Sequence, residues 1–137
     1  MEYLTKNILF FIQILFGAKL EAVILVGGQG TRMKSVSNDL PKSILEIQGT
    51  PFLVWLIKLL EKNDVKKIIL CLGIKSELII ECINKYDFTD IEIIFSVEKE
   101  PLGTGGALLH ALNHISNDNL VFMNGDTMFD IPVKQLY

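Results

Sequence analysis

From residue 21 onward the chain alternates two kinds of segment, and this alternation restricts its fold more than any other feature. Short apolar runs rich in β-branched residues stand at 21–26, 67–72, 91–95 and 120–123. Bounded by glycine, proline or polar clusters, such runs read as buried strands. Between them lie stretches with helical periodicity. Phe52, Leu53, Leu56, Leu59 and Leu60 mark one apolar helix face, with Thr50 as hydroxyl cap and Pro51 in the first turn. Ser43 to Ile47 adds a short extended piece closed by Gln48-Gly49. Ser76 is expected to cap a second helix from Glu77 to about Lys85, and a third is expected from Ala107 to about Ile115. The pattern predicts an α/β fold: a three-layer α/β/α, Rossmann-like, mostly parallel sheet covered on both faces. No repeat, low-complexity tract or linker interrupts it. Ligands of such sheets sit beyond the carboxyl ends of the strands, near a topological switch. Three segments that follow strands directly are expected to meet there: 27–32, 98–106 and Asn124-Gly125-Asp126.

The first of these segments is the richest in chemistry. Gly27-Gly28-Gln29-Gly30-Thr31-Arg32 leaves the run Ala22-Val23-Ile24-Leu25-Val26, and Pro41-Lys42 follows. Three glycines strip the loop of side chains where a strand ends, so backbone N–H groups can approach an anion closely. Arg32 and Lys42 supply the charge that polyphosphate oxygens require. Two commoner phosphate motifs fit poorly. No window contains the P-loop spacing, and Met33 stands where a dinucleotide fingerprint needs its third glycine. Glu46 lies at a suitable distance for a ribose contact but does not restore that fingerprint. A tight loop with a solvated arginine is the bland alternative.

Half of the 137 residues are apolar, which suits the core of one domain. A formal net charge of −3 offers no long-range attraction for nucleic acid or acidic membranes. Anionic substrates then depend on local groups and a metal. Cys71 and Cys82 are isolated and read as buried free thiols. The apolar run from Ile8 to Phe16 falls short of the roughly 20 residues that a membrane span needs. As a signal peptide it has a weak basic leader, with Glu2 opposing Lys6, and no convincing cleavage site, which leaves an extra helix packed on the domain, a misplaced translation start or an interfacial anchor. Residues 1–20 therefore read as an N-terminal apolar extension and 21–137 as the chemical domain. His110 and His114 have a spacing that zinc can use, but no third ligand, and read as a polar helix face. Trp55 reads as core or interface, and Asp130 as structural.

The ordered set of strand, Gly-Gly-x-Gly-Thr-Arg loop, Pro41-Lys42, Pro101-Leu102-Gly103-Thr104-Gly105 and Asn124-Gly125-Asp126 resembles the sugar nucleotidyltransferase family. Within it the resemblance is greatest to D-glycero-α-D-manno-heptose 1-phosphate guanylyltransferases, then to mannose-1-phosphate guanylyltransferases, and it covers residues 21 to 137. It implies the nucleotide-diphospho-sugar transferase fold, C-terminally truncated, because family members continue past the position of Tyr137. That continuation carries most sugar contacts and the second metal carboxylate.

The resemblance also implies roles. Leu25, Gly27, Gly28, Gly30 and Thr31 match the loop that wraps the nucleotide. Arg32 matches the arginine that neutralises departing pyrophosphate. Lys42 matches the lysine at the reacting phosphates, although Ser43 replaces the second proline of that motif. Glu98, Pro101, Gly103, Thr104 and Gly105 match the segment framing base and ribose, with Glu98 a candidate partner for guanine N–H donors. Gly125 joins the nucleotide-binding set, and Asp126 matches the carboxylate that holds Mg²⁺. The implied reaction transfers GMP from GTP to a heptose- or mannose-type sugar 1-phosphate and releases pyrophosphate, in the cytoplasm, for nucleotide-sugar and surface-polysaccharide synthesis. Nucleoside triphosphate and sugar 1-phosphate are the expected partners, with no nucleic acid and no membrane span; a homo-oligomer stays open. The alternatives are a nucleotide-binding module without turnover, a thymidylyl or uridylyl transferase of the same family, and an interaction subunit using the N-terminal apolar segment.

Overall fold

The computed structural model describes residues 19–27, 40–118 and 120–128. In chain order these form β1 (Leu20–Leu25), a 3-10 turn (Lys42–Ile44), β2 (Glu46–Ile47), β3 (Thr50–Pro51) and α1 (Phe52–Lys62). Then come β4 (Val65–Leu72), α2 (Ser76–Ile83), β5 (Glu92–Val97), α3 (Gly103–Ala111), a second 3-10 turn (Leu112–His114) and β6 (Leu120–Asn124). The main sheet has the order β5-β4-β1-β6, and every pairing in it is parallel. The chain moves outward from β1 through β4 to β5, then crosses back to place β6 on the other side of β1. That reversal makes the β1–β6 junction the switch point.

Side-chain alternation along the strands builds the three layers. Ala22 and Ile24 of β1, with Ile68, Leu70 and Leu72 of β4, pack against Leu53, Leu56, Ile57 and Leu60 of α1 and Ile79 and Ile83 of α2. Val23, Ile69 and Cys71 alternate to the opposite face and meet Ala107 and Ala111 of α3. Burying each Leu or Ile contributes about 1.5–3 kcal/mol, so the α1/α2 face carries most of the stabilisation. The α3 face buries small residues instead, which brings that helix close to the sheet.

At the amino ends of the strands a polar network replaces apolar packing. Glu21 is 3% exposed. Its Oε1 lies 3.2 Å from Lys67 Nζ, and its Oε2 accepts the Ser116 N–H at 2.9 Å. Lys67 Nζ also donates to Ser116 Oγ at 2.8 Å, so β1, β4 and the chain after α3 are tied together. Burial alone would raise the Glu21 pKa. The Ser116 N–H and the bonded Lys67 charge outweigh it and hold the carboxyl below its ordinary value.

Several local expectations are corrected. Thr50 does not cap α1; it pairs with Ile47 in an antiparallel hairpin, and Pro51 takes the N-cap position. The hairpin is closed by Gln48 and Gly49, both at positive φ (54° and 76°), as a two-residue turn matched to strand twist requires. Of the expected extended piece at 43–47 only Glu46–Ile47 is strand, because Lys42–Ile44 coils so that Ile44 can enter the core. Ser76 is a buried first residue of α2 and not its cap; Lys75, at φ 64°, turns the chain into that helix, which ends at Ile83. The third helix starts at Gly103, four residues before the expected Ala107. Leu102 folds back over its first turn, where a Cβ on Gly106 would stand 2.6 Å from the Leu102 Cβ. Cys71 is buried but Cys82 only half-buried. Trp55 is not core: it is 39% exposed, and its indole N–H donates to the Ile47 carbonyl at 3.1 Å, clamping the hairpin onto α1.

Candidate functional site at the carboxyl ends of the strands

Backbone hydrogen bonds lock the strand ends into a continuous rim. The Gly125 N–H donates to the Leu25 carbonyl at 2.7 Å, the Val26 N–H to the Cys71 carbonyl at 2.9 Å, and the Glu98 N–H to the Leu72 carbonyl at 2.8 Å. Two glycine contacts show how tightly it is drawn. A Cβ on Gly125 would stand 3.0 Å from the Leu25 oxygen and 3.1 Å from Val26 Cγ2. A Cβ on Gly27 would stand 3.0 Å from the Gly73 nitrogen. Gly73, which ends β4, is a rim residue that sequence reasoning missed; a lone glycine after an apolar run was the only signal.

At the switch point Gly125 is bonded to Leu25 and Asp126 follows it, while Gly27 packs against Gly73 on the β4 side. Asp126 follows β6 on an exposed turn, and its Oδ1 accepts the Thr127 hydroxyl at 3.1 Å. Among the described residues no three His, Cys, Asp or Glu side chains gather to hold a metal ion. Asp126 offers a solvent-facing carboxylate at the end of β6, and a lone carboxylate suits a cation that keeps waters and takes phosphate oxygens rather than one needing an all-protein cage. Gly28, Gly30, Thr31 and Arg32 lie outside the described residues, as do Asp130 and the apolar run at 8–16.

Glu98 leaves β5 into the second candidate segment, past Pro101. Its Oε2 accepts the Leu102 N–H at 3.2 Å, so part of the acceptor capacity considered for guanine already closes the loop. Gly103, at φ 69°, opens α3, and Thr104 and Gly105 are exposed in its first turn, where backbone N–H groups lack helical partners. Thr104 is the second residue of the helix. Lys42 lies on a 3-10 turn packed against α1 and α2. That turn is held by Ile44 N–H to Pro41 carbonyl and Leu45 N–H to Lys42 carbonyl bonds, each 3.1 Å. The adjoining Ser43, standing where the family motif has proline, buries a hydroxyl with no hydrogen-bond partner among the described residues.

Other polar groups lie beneath α3. The Cys71 thiol donates to the Ala107 carbonyl at 3.7 Å, and burial, with the Glu98 charge adding, pushes its pKa up to about 11. His110 does more than present a polar face: its Nδ1 lies 2.8 Å from the Oγ of Ser96, which is 2% exposed. A cavity of about 280 Å³ bounded by Ile83, Tyr86, Phe88 and Phe95 lies at the β5 edge and contains none of the candidate residues. No helix among the described residues is long and apolar enough to cross a membrane.

A doubly wound parallel sheet with a glycine-lined rim at its switch point defines the class of α/β domains that hold ligands beyond their strand ends. The chain belongs to the nucleotidyl transferase family, whose model matches residues 21–137. It is similar to the D-glycero-alpha-D-manno-heptose 1-phosphate guanylyltransferase of Campylobacter jejuni, with 44% identity over 85% of this chain and 52% of that protein. It is also similar to the mannose-1-phosphate guanyltransferase of Kluyveromyces lactis, at 37% identity over 85% of this chain and 33% of that protein. Among solved structures, HddC from Yersinia pseudotuberculosis complexed with GMP-PN superposes with a TM-score of 0.79 at 42% identity, covering 85% of this chain and 52% of that one. The chain thus spans about half the length of the heptose 1-phosphate relatives it matches.

Proposed function

We propose that residues 21–137 form the nucleotide-binding half of a sugar-1-phosphate guanylyltransferase that joins GMP, from GTP, to a heptose- or mannose-type sugar 1-phosphate and releases pyrophosphate. The observation that carries this reading is the Leu25–Gly125 junction. It sets Asp126 beside the point where the glycine loop leaves β1, in a chain 44% identical to a heptose 1-phosphate guanylyltransferase. In the reaction a sugar-1-phosphate oxygen attacks the α-phosphorus in line; the bond to the β-phosphate oxygen breaks, and pyrophosphate leaves with that electron pair. The nucleophile is already an anion, so no general base is required. What the protein must supply is alignment and charge neutralisation. Leu25, Gly27, Gly28, Gly30 and Thr31 would wrap the nucleotide with backbone donors. Glu98, Pro101, Gly103, Thr104 and Gly105 would frame base and ribose. Lys42 would bring the two anionic reactants together, and Arg32 would stabilise charge growing on pyrophosphate. Asp126, with Gly125 shaping its turn, would hold a divalent cation. Mg²⁺, when bound, neutralises phosphate charge there. A reaction that consumes nucleoside triphosphate, in a chain with two free thiols, supports a cytoplasmic setting.

The test is Mg²⁺-dependent GTP binding by the chain, followed by pyrophosphate release when sugar 1-phosphate is added. Asp126→Ala and Arg32→Ala are each expected to lower turnover by about 10²–10³-fold with the circular dichroism spectrum unchanged. Rates near those of the unsubstituted chain would remove both assignments. A second reading is a nucleotide-binding module without turnover. GTP binding without pyrophosphate release would select it.

A further inference from the structure

We infer that His110 is a positioning residue for the nucleotide base, acting through a latch between the sheet and α3. The inference rests on the proposed placement of base and ribose against Gly103–Gly105. α3 approaches the sheet with Ala107 and Ala111, its buried side chains, while Leu108 packs at their edge, so apolar contact alone fixes its rotation and tilt weakly. Two polar sheet residues add to it. Cys71 and Ser96 are register partners on β4 and β5, so both point to the α3 face. Cys71 reaches the Ala107 carbonyl, and Ser96 reaches His110 Nδ1 at 2.8 Å. Ala107, His110 and Ala111 fall at i, i+3 and i+4, which is one stripe along the helix. Ser96 is 2% exposed, whereas His110 keeps the rest of its ring toward solvent. The imidazole therefore supplies the partner of a hydroxyl that the fold otherwise shields from water.

The leverage follows from helix geometry. Gly103 lies seven residues before His110, about 10 Å along the axis, so a tilt of about 5° at the latch moves the first turn by roughly 1 Å. A displacement of that size is enough to spoil a positioned contact. The segment proposed to frame the base is this helix's own first turn, whereas the loop proposed for the triphosphate follows β1, so the latch should act chiefly on the base.

Titrations of the chain with GTP and with inorganic tripolyphosphate, both in Mg²⁺, test this. His110→Ala is expected to raise the GTP Kd by about tenfold while the tripolyphosphate Kd changes less than about twofold. His110→Asn, whose amide can stand where Nδ1 stood, should restore GTP affinity. Ser96→Ala cuts the same bond from the sheet side with minimal change of volume, and its effect should not add to that of His110→Ala. Unchanged GTP affinity in both single variants, or equal losses for GTP and tripolyphosphate, would overturn the latch. Absence of GTP binding in the unsubstituted chain would instead overturn the nucleotide reading on which the latch depends.

Discussion

Gly125→Ala tests whether the rim is as tightly drawn as its contacts imply. The added Cβ would meet the Leu25 carbonyl oxygen at 3.0 Å, Val26 Cγ2 at 3.1 Å and Ile24 Cγ2 at 3.3 Å. Ordinary carbon–oxygen approaches begin near about 3.3–3.6 Å, and carbon–carbon contacts near about 3.5 Å. The β6 end must therefore move away from β1 by about 0.4 Å, and the neighbours are backbone and β-branched side chains with little freedom to yield. The 2.7 Å bond from the Gly125 N–H to the Leu25 carbonyl would lengthen yet survive. The cost is thus mainly overpacking, about 2 kcal/mol, or a fall in Tm of about 6 °C for a domain of this size. Urea and thermal unfolding measure it directly. Gly105→Ala is the matched control, since a Cβ there meets nothing within 4 Å. In a helix that substitution should add about 0.5–1 kcal/mol of stability. The same chemical change is expected to have opposite signs at two glycines. A Gly125→Ala protein as stable as the parent would refute the close approach of β6 to β1.

Glu21→Gln should cost about 1–3 kcal/mol by weakening the buried network with Lys67 and Ser116. Because the folded-state pKa of Glu21 is depressed, its contribution is fully present above the ordinary glutamate pKa and fades as pH falls through the lowered value. Urea midpoints taken from pH 7 down to pH 3 should therefore converge for parent and variant at the acid end. Ser43→Ala removes a buried hydroxyl without a partner among the described residues, and should raise stability by about 1 kcal/mol in the same assay. Cys71, buried and pushed up to about 11, should resist alkylation at pH 8 in the native chain, while the half-buried Cys82 labels first. Mass spectrometry of the labelled peptides distinguishes the two.

The strands were legible because a parallel sheet draws on short apolar runs: 68–72 is buried throughout, and 120–123 is as apolar although Phe122 is exposed at the end of the sheet. The meeting of 27, 98 and 124–126 at one rim followed from strand direction alone, since parallel strands all end on the same side. Helix starts were less legible. Gly103-Thr104-Gly105-Gly106 argues against helix by intrinsic propensity, yet Glu98 holds Leu102 and the chain coils from Gly103 onward. Ser76 had the chemistry of a cap but took the first helical position, because Lys75 made the turn. The Ser96–His110 pair, like the Gly27–Gly73 contact, joins residues from separate elements. No local pattern announces such pairs. The candidate roles of Asp126 and Lys42 came from motif order, not from any periodicity.

The strand next to the proposed chemistry is also the last to be synthesised among the described elements. Glu21–Leu25 pairs with Leu120–Asn124, nearly a hundred positions downstream. Closing so distant a pairing is entropically slow, so a nascent or refolding chain completes the β4 side of β1 well before the β6 side. Until then Asp126 has no fixed neighbour. A nucleotide could then act only on the finished fold, slowing its unfolding without hastening its formation.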